Sequence, residues 1–295
     1  MAASYSLNFR RPPSLWGTYA RIFAARKPRL VPEGLGVPRI AAEWRGVRID
    51  AEQLAQYRLL CGGGPAEVLP LAFPHVLASP LHLAVLSSEK FPIGLLGLLQ
   101  VRNRIERSRP LDSAEVGSLQ TWVEGHRETE RGQEFDLHTV WHADSGEPIW
   151  SELSTFLARR APPAGSRTVR QPHDPAPVGD PAARQSTSFR ALAGLGRRYG
   201  WMAGDLNPIH LSDATARRFG FRSAIAHGMW SLARCAAELD SGHSAACVLD
   251  VQFRQPVHLP AWLLLQSQPL DSGLAFELLD SLGERVHLTG SLVSS

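Results

Sequence analysis

Residues 203–230 read AGDLNPIHLSDATARRFGFRSAIAHGMW. An aspartate, an asparagine and a histidine (Asp205, Asn207 and His210) fall within six positions, and an apolar segment then opens on Ala226-His227-Gly228-Met229. Gly204 and Pro208 argue against continuous helix, so Asp205 and His210 are expected in a loop. The segment SDATARRFG (212–220) reads as a short helix, capped by Ser212 or Asp213 and ended by Gly220. A longer helix then starts at Gly228. A helix start presents unpaired N–H groups and the positive end of the dipole. A bare glycine there lets a ligand approach, an arrangement suited to a developing oxyanion.

Asp205 and His210 can share a water. The imidazole would take or give a proton while the carboxylate orients the water or handles the second proton. Adding water across a double bond conjugated to a carbonyl needs both functions and a dipole for the enolate oxygen. The same residues also suit plainer roles. Asp-x-Asn-Pro can be an Asx-turn that shapes a loop, and a histidine beside an apolar helix can be a satisfied core residue. His227 is read in that second sense, orienting the helix entry or lining the pocket. Metal binding by Asp205 and His210 lacks a third ligand at a convincing spacing. There is no G-x-S-x-G elbow, and Cys235 and Cys247 have no evident base partner.

Outward from this stretch the chain reads as two related halves. Residues 161–185, APPAGSRTVRQPHDPAPVGDPAARQ, are rich in proline and lack hydrophobic periodicity, as a linker would. Tyr57 to Gly63 can be laid on Tyr199 to Asp205, and Ala72-Phe73-Pro74-His75 on Ala224 to His227. The second half has extra residues where Asn207, Pro208 and His210 stand, so the first half looks like a copy without the chemical loop. In each half an apolar helix-length segment is followed by strand-like stretches: 95–106, 117–128, 134–144 and 147–160 in the first, 246–260, 261–270, 274–280 and 285–294 in the second. Turn signals such as Asp144-Ser145-Gly146 separate them. A helix apolar nearly all round must be covered on several sides, which a curved antiparallel sheet would do. The expected boundaries are an N-terminal extension (1–37), a first half (38–160), the linker (161–185) and a second half (186–295).

The chain has 295 residues, 44% of them hydrophobic and 20% charged, with a net charge of +3, which is ordinary globular composition. Three widely spaced cysteines without a CxxC disfavour a disulfide framework or a zinc cluster and fit a reducing compartment. No dense basic run interleaved with aromatics points to nucleic acid. The stretch 69–86 is apolar but interrupted by Pro74, Pro80, His75 and His82, and is read as a core helix, not a membrane span. The basic, acid-free start (1–32) has the composition of a transit segment. Leu15, Trp16, Tyr19, Ile22 and Phe23 also share one helical face, so the favoured reading is a helix docked on the protein. A cytoplasmic location is expected, with the mitochondrial matrix as the alternative.

The motifs A-G-D-x-N-P-I-H (203–210) and I-A-H-G-M (225–229) resemble the hydratase-2 motif of the MaoC-like family. The segments PHVLASPLH and GLLQVRNRIERSRPL resemble the degenerate first repeat of its double-hotdog members. The resemblance implies an α+β double hotdog in which each half wraps a curved antiparallel sheet around a long helix. It implies a hydro-lyase acting on enoyl and (3R)-3-hydroxyacyl thioesters in fatty acid metabolism. Asp205 and His210 would activate water, the N–H of Gly228 would polarise the thioester carbonyl, and Asn207 would shape the loop. His227, Met229 and Arg222 are expected around the substrate. No metal or cofactor is implied. The carrier would be coenzyme A or acyl carrier protein, with Arg217, Arg218 and Arg222 suited to either. The first half would house an acyl tunnel. Ala236 stands where some relatives have serine, and Ala203 where serine is common. A non-catalytic acyl-thioester binding module and a hotdog thioesterase are the competing readings. A monomer and a homodimer are both compatible with two hotdogs in one chain.

Overall fold

The computed structural model describes residues 4–64, 66–160, 183–240 and 246–294. Residues 161–182, most of the expected linker, lie outside them. The first half contains β1 (Ser4–Phe9), α1 (Leu15–Ala24), β2 (Arg39–Val47), α2 (Ala51–Cys61), α3 (Phe73–Ser87), β3 (Leu99–Arg107), β4 (Gly117–Val123), β5 (Arg127–Thr129), β6 (Gly132–Ala143) and β7 (Pro148–Arg159). The second contains β8 (Gln185–Ala191), α4 (Leu195–Ala203), α5 (Pro208–Leu211), α6 (Asp213–Arg217), α7 (Gly228–Leu239), β9 (Cys247–Phe253), β10 (Ala261–Leu270), β11 (Gly273–Asp280) and β12 (Val286–Ser294).

All the strands join one sheet in the order β1-β2-β4-β6-β7-β3-β9-β12-β11-β10-β8, with β5 paired to β6. Inward from each edge the halves repeat one pattern. β2-β4-β6-β7-β3 matches β8-β10-β11-β12-β9, and the long helix follows the outermost of these strands in both. The shared topology supports duplication far better than the scattered identities do. The halves meet at β3 and β9, antiparallel, with Ile105 opposite Leu249. β1 is an addition, parallel to β2.

Alternation drives the strands: β4 buries Gly117, Leu119, Thr121 and Val123 and turns the residues between them outward. The helix α3 is covered nearly all round, from Phe73 to Ser87, with His75 and Pro80 left partly open. It forms the axis that the first half-sheet wraps. No helix among the described residues is long and apolar enough to cross a membrane. All three cysteines are buried and unpaired.

Two expectations need correction. The apolar face of α1 is only partly covered: Tyr19 and Ile22 are buried, but Trp16 and Phe23 are 68% and 60% exposed. The helix lies at the periphery, where Tyr19 and Ile22 reach Leu83 and Leu206, and Trp16 meets only the edge of Trp201, ring centres 5.7 Å apart. At the shortened loop of the first half the described residues leave little room for an acyl tunnel. The cavity bordered by Gly63, Leu69 and Ala236 holds about 20 Å³, room for about one water, because the 68–72 segment folds back over α7.

Candidate active site

The site is built where α4 ends and α7 begins. Gly204 caps α4 in the left-handed region, at φ 76°, and turns the chain sharply into Asp205. Asp205 lies in a loop as expected, but the turn after it is helical, which corrects the expectation for His210. Pro208 starts α5, where its missing N–H is no loss, and the Asn207 side chain caps it, accepting from the Ile209 N–H at 3.4 Å. His210 therefore sits on a one-turn helix. Ser212 caps α6 as expected, accepting from the Thr215 N–H at 3.1 Å.

Asp205, His210 and His227 come together, with candidate ligating atoms all within 4.8 Å of one another. The imidazoles of His210 and His227 stack, ring centres 3.6 Å apart. His210 Nδ1 lies 2.8 Å from the Ile225 carbonyl. A carbonyl only accepts, so Nδ1 carries the proton and the neutral ring keeps Nε2 as an acceptor. His227 Nε2 likewise donates to the Asp205 carbonyl at 3.0 Å. Its Nδ1 is buried with no hydrogen-bond partner among the described residues.

Burial holds the His210 pKa below the ordinary imidazole value, against the pull of Asp205 and of the Ile225 carbonyl. Burial, together with His210, pushes His227 down to about 3. For Asp205, burial works to raise the pKa. His227, His210 and the Asn207 N–H outweigh it and hold the carboxyl below the usual aspartate range. At neutral pH the trio is thus one carboxylate and two neutral imidazoles. The Asp205 side chain is 44% exposed while both imidazoles are buried, so the carboxylate is the member of the trio that water reaches. Asp205, His210 and His227 are also the set that could hold a metal ion here, as His75, His82 and Glu152 are in the first half.

The remaining expected residues divide. Gly228 is the first residue of α7, just past the imidazoles. A Cβ there would come within 3.1 Å of the Phe253 ring. Asn207 shapes the loop, its N–H reaching Asp205 Oδ1 at 3.2 Å and its side chain serving as the cap. Met229 is buried against β3, with Sδ 3.4 Å from Gln100 Nε2. Arg222 is exposed on the loop before Ile225, where its carbonyl accepts from Arg217. Among the described residues, no hydrogen bond or ion pair joins it to the Asp–His cluster.

Three contributors were not anticipated as such. Tyr19 was expected only as part of a docked helix face. Its hydroxyl accepts from the Leu206 N–H at 2.5 Å and donates to the Gly204 carbonyl at 3.3 Å, clasping the chain on both sides of Asp205. Burial and the Asp205 charge push its pKa up, so the phenol stays protonated and can donate. Gly196 and Gly200, one turn apart on α4, let the site loop lie flat on the helix. A Cβ on them would sit 2.2 Å from the His210 carbonyl and 2.6 Å from the Asp205 carbonyl, respectively. Their four-residue spacing on a helix was the available signal.

Residues 186–271 match the family model described as MaoC like domain. The chain is 28% identical over 264 residues to 3-hydroxyacyl-thioester dehydratase X of Mycobacterium tuberculosis (strain ATCC 25618 / H37Rv), covering 89% of this chain and 92% of that protein. The crystal structure of HtdX from Mycobacterium tuberculosis superposes with a TM-score of 0.74 at 27% identity, over 86% of this chain and all of the other. A MaoC-like dehydratase from Phytophthora capsici gives a TM-score of 0.65 at 16% identity, over 87% of this chain and 95% of its own. A Mycobacterium tuberculosis protein with a double hotdog fold gives 0.53 at 12% identity, over 92% of this chain and 96% of its own. With the repeated sheet pattern above, these findings make the molecule a double hotdog whose second half is similar to the MaoC like domain.

Proposed function

We propose that this protein is a hydro-lyase that interconverts trans-2-enoyl thioesters and (3R)-3-hydroxyacyl thioesters. The observation that carries this reading is the His210 tether. With Nδ1 held by the Ile225 carbonyl, Nε2 is left as a base close to an ionised carboxylate, at the start of a helix that opens with glycine.

In the hydration direction a water lies between Asp205 and His210 Nε2. The carboxylate orients it and His210 takes one of its protons. The water oxygen bonds to C3, and the electron pair of the double bond moves toward the thioester. The Gly228 N–H and the α7 dipole stabilise the enolate oxygen that develops. C2 then takes the proton from the imidazolium, which restores neutral His210 and completes the addition. Dehydration is the same path reversed. The imidazole alternates between acid and base, while Asp205 remains ionised throughout. The curated relative named as a dehydratase supports the class of reaction. The Asp–His geometry supports these residues in these roles.

The test is a spectrophotometric hydration assay with a short enoyl-CoA and chiral analysis of the product. Wild-type protein yields the (3R) alcohol, and Asp205→Asn lowers kcat by roughly 10²–10⁴-fold with its melting temperature little changed. A folded Asp205→Asn variant that keeps its turnover would sink the assignment.

A further inference from the structure

The uncovered side of α1 continues onto a second helix. Trp16 and Phe23 are seven positions apart, two turns along one side of α1. Trp201 projects from α4 beside Trp16 and is 53% exposed. The two helices are tied together by the Tyr19 hydroxyl, which binds the Gly204 carbonyl and the Leu206 N–H, and Leu15 lies close to Gly204. Among the described residues five large aromatic side chains are exposed, and three of them share this face. Apolar side chains scattered singly over a surface need no explanation, but a cluster of them marks an interaction site.

Cations flank the aromatics along both segments. Arg10 and Arg11 precede α1, and Arg26 and Arg29 follow it. Arg197 and Arg198 lie one turn before Trp201, on the outward side of α4. All six are exposed, and no hydrogen bond or ion pair engages their side chains among the described residues. Neither segment offers them an acid, since the sequence has no Asp or Glu from 1 to 32 or from 181 to 204. Their charge is therefore available to an anionic partner, and a guanidinium fork fits phosphate oxygens two at a time. A second copy of the chain is a poor occupant, because a two-fold contact would press this positive face against itself. A lipid surface suits it better. Aromatic rings that stand more than half exposed can enter the headgroup region without a matching groove, while arginines meet the lipid phosphates around them.

We propose that α1 and α4 dock the protein on an anionic lipid surface, with Trp16, Phe23 and Trp201 inserted and the flanking arginines on the lipid phosphates. The helix that docks is also the one whose Tyr19 clasps the chain on both sides of Asp205. The lipid would thus lie about one helix diameter, ~10 Å, from the loop that carries the carboxylate. Docking is measured without turnover, so it stands or falls separately from the reaction assigned above.

The experiment floats the full chain through a density gradient with vesicles of phosphatidylcholine alone or of phosphatidylcholine mixed with phosphatidylglycerol. Wild-type protein floats with the anionic vesicles, stays behind with the neutral ones and is released by salt. Arg197→Glu/Arg198→Glu weakens vesicle affinity by at least about tenfold, and Trp16→Ser/Phe23→Ser by about tenfold, with the melting temperature of each variant unchanged. Brominated phosphatidylcholine in the anionic vesicles quenches the tryptophan emission of the wild type, and Trp16→Phe/Trp201→Phe removes most of that quenching while the protein still floats. Wild-type protein that stays in solution, or variants that float as well as wild type, overturn the proposal. So does a dimer in solution that the serine substitutions dissociate, since the face is then an interface between two copies. Capture of polyglutamate but not of vesicles makes the face a site for acidic protein, and overturns the lipid assignment as well.

Discussion

Both halves leave a helix through a left-handed glycine, Gly62 at φ 81° after α2 and Gly204 at φ 76° after α4. From there they diverge. The second half continues into Asp205 and a capped turn that carries His210. The first has Gly63 at the matching place and goes to α3 without that turn. At the entry to the long helix, His227 is followed by Gly228 and His75 by Val76. Val76 is 1% exposed and carries a side chain at the position where the second half has none. His75 has also found a partner inside the protein. Its Nδ1 lies 2.8 Å and 2.9 Å from the two oxygens of Glu152, which also accepts from Asn103 at 2.6 Å. One fold thus carries two versions of a histidine at a helix entry. In one, a fully covered carboxylate is paired with the histidine and an asparagine inside the protein. In the other, the carboxylate is open to solvent and the imidazole nitrogen beside it is unspent. The difference shows that what makes a site here is the placement of an acid where water can reach it, since both halves possess acid and imidazole.

The comparison is broken or upheld most decisively by exchanging the two carboxylates for amides. Burial tends to raise the Glu152 pKa, but His75, His82 and Asn103 together hold it below the ordinary glutamate value. A group depressed in this way stabilises the fold above its unfolded pKa, and that stability is lost as pH falls through the folded value. Glu152→Gln removes one partner of a buried pair and is expected to cost about 3 kcal/mol. The melting temperature falls, and kcat measured well below it is retained. Asp205→Asn should show the reverse, with turnover lost and melting little changed. If Glu152→Gln stops catalysis in a protein that melts normally, the first half holds a working centre and the contrast is wrong.

A smaller change sharpens the reason for the divergence. The repeat lays Arg58 on Gly200. In the first half a long side chain has room there, and its guanidinium donates to the Ala66 and Val68 carbonyls at 2.8 Å and 3.0 Å. In the second, a single added methyl would meet the Asp205 carbonyl at 2.6 Å, and a backbone atom cannot swing aside as a side-chain tip can. Gly200→Ala should lower stability by about 1–3 kcal/mol and kcat by at least about tenfold, since a shift of about 1 Å in a catalytic group can cost up to 10²-fold. Thermal melting and steady-state kinetics read the two effects. Normal kinetics in the variant would mean that the loop does not depend on lying flat against α4.

Much of this was legible in the sequence, for reasons that differ by residue. The strands and the long helices are written in alternation and in apolar runs, and both survive folding because burial enforces them. The two motifs placed Asp205, His210 and Gly228 close together because short turns leave little freedom between them. Tertiary contacts are what the sequence withheld. Pro208, read as a helix breaker, is a helix starter once Asn207 caps it. Arg222, charged and near the motif, stays in solvent. Met229 turned to β3, since the partner strand comes from the other half. The glycines of α4 are explained only by the carbonyls that lie over them. The repeat suggested a vacated tunnel in the first half, but the chain folded over the gap.

The least conspicuous link is between the N-terminal helix and the site. Tyr19 lies in a segment whose basic composition suggested targeting, yet its hydroxyl binds the peptide groups on both sides of Asp205. The segment after Gly63 is held from its own preceding helix instead, by Arg58 donating to the Ala66 and Val68 carbonyls. Tyr19→Phe keeps the ring packed against Leu83 and Leu206 and removes only the hydroxyl, so the expected cost is about 1 kcal/mol of stability. The diagnostic readout is the pH profile of kcat/KM. In the wild type Asp205 is held below the aspartate range and His210 below the imidazole range. Both are in their working states above pH ~6.5, so the rate is level there and falls toward acid as His210 and then Asp205 take protons. Without the phenol the loop relaxes and Asp205 moves away from the imidazoles that depress its pKa. Its acid limb should then move upward, with kcat reduced about fivefold, the change that about 1 kcal/mol represents. Loss of stability alone would leave the limb where it was, and an unmoved limb would reduce Tyr19 to packing.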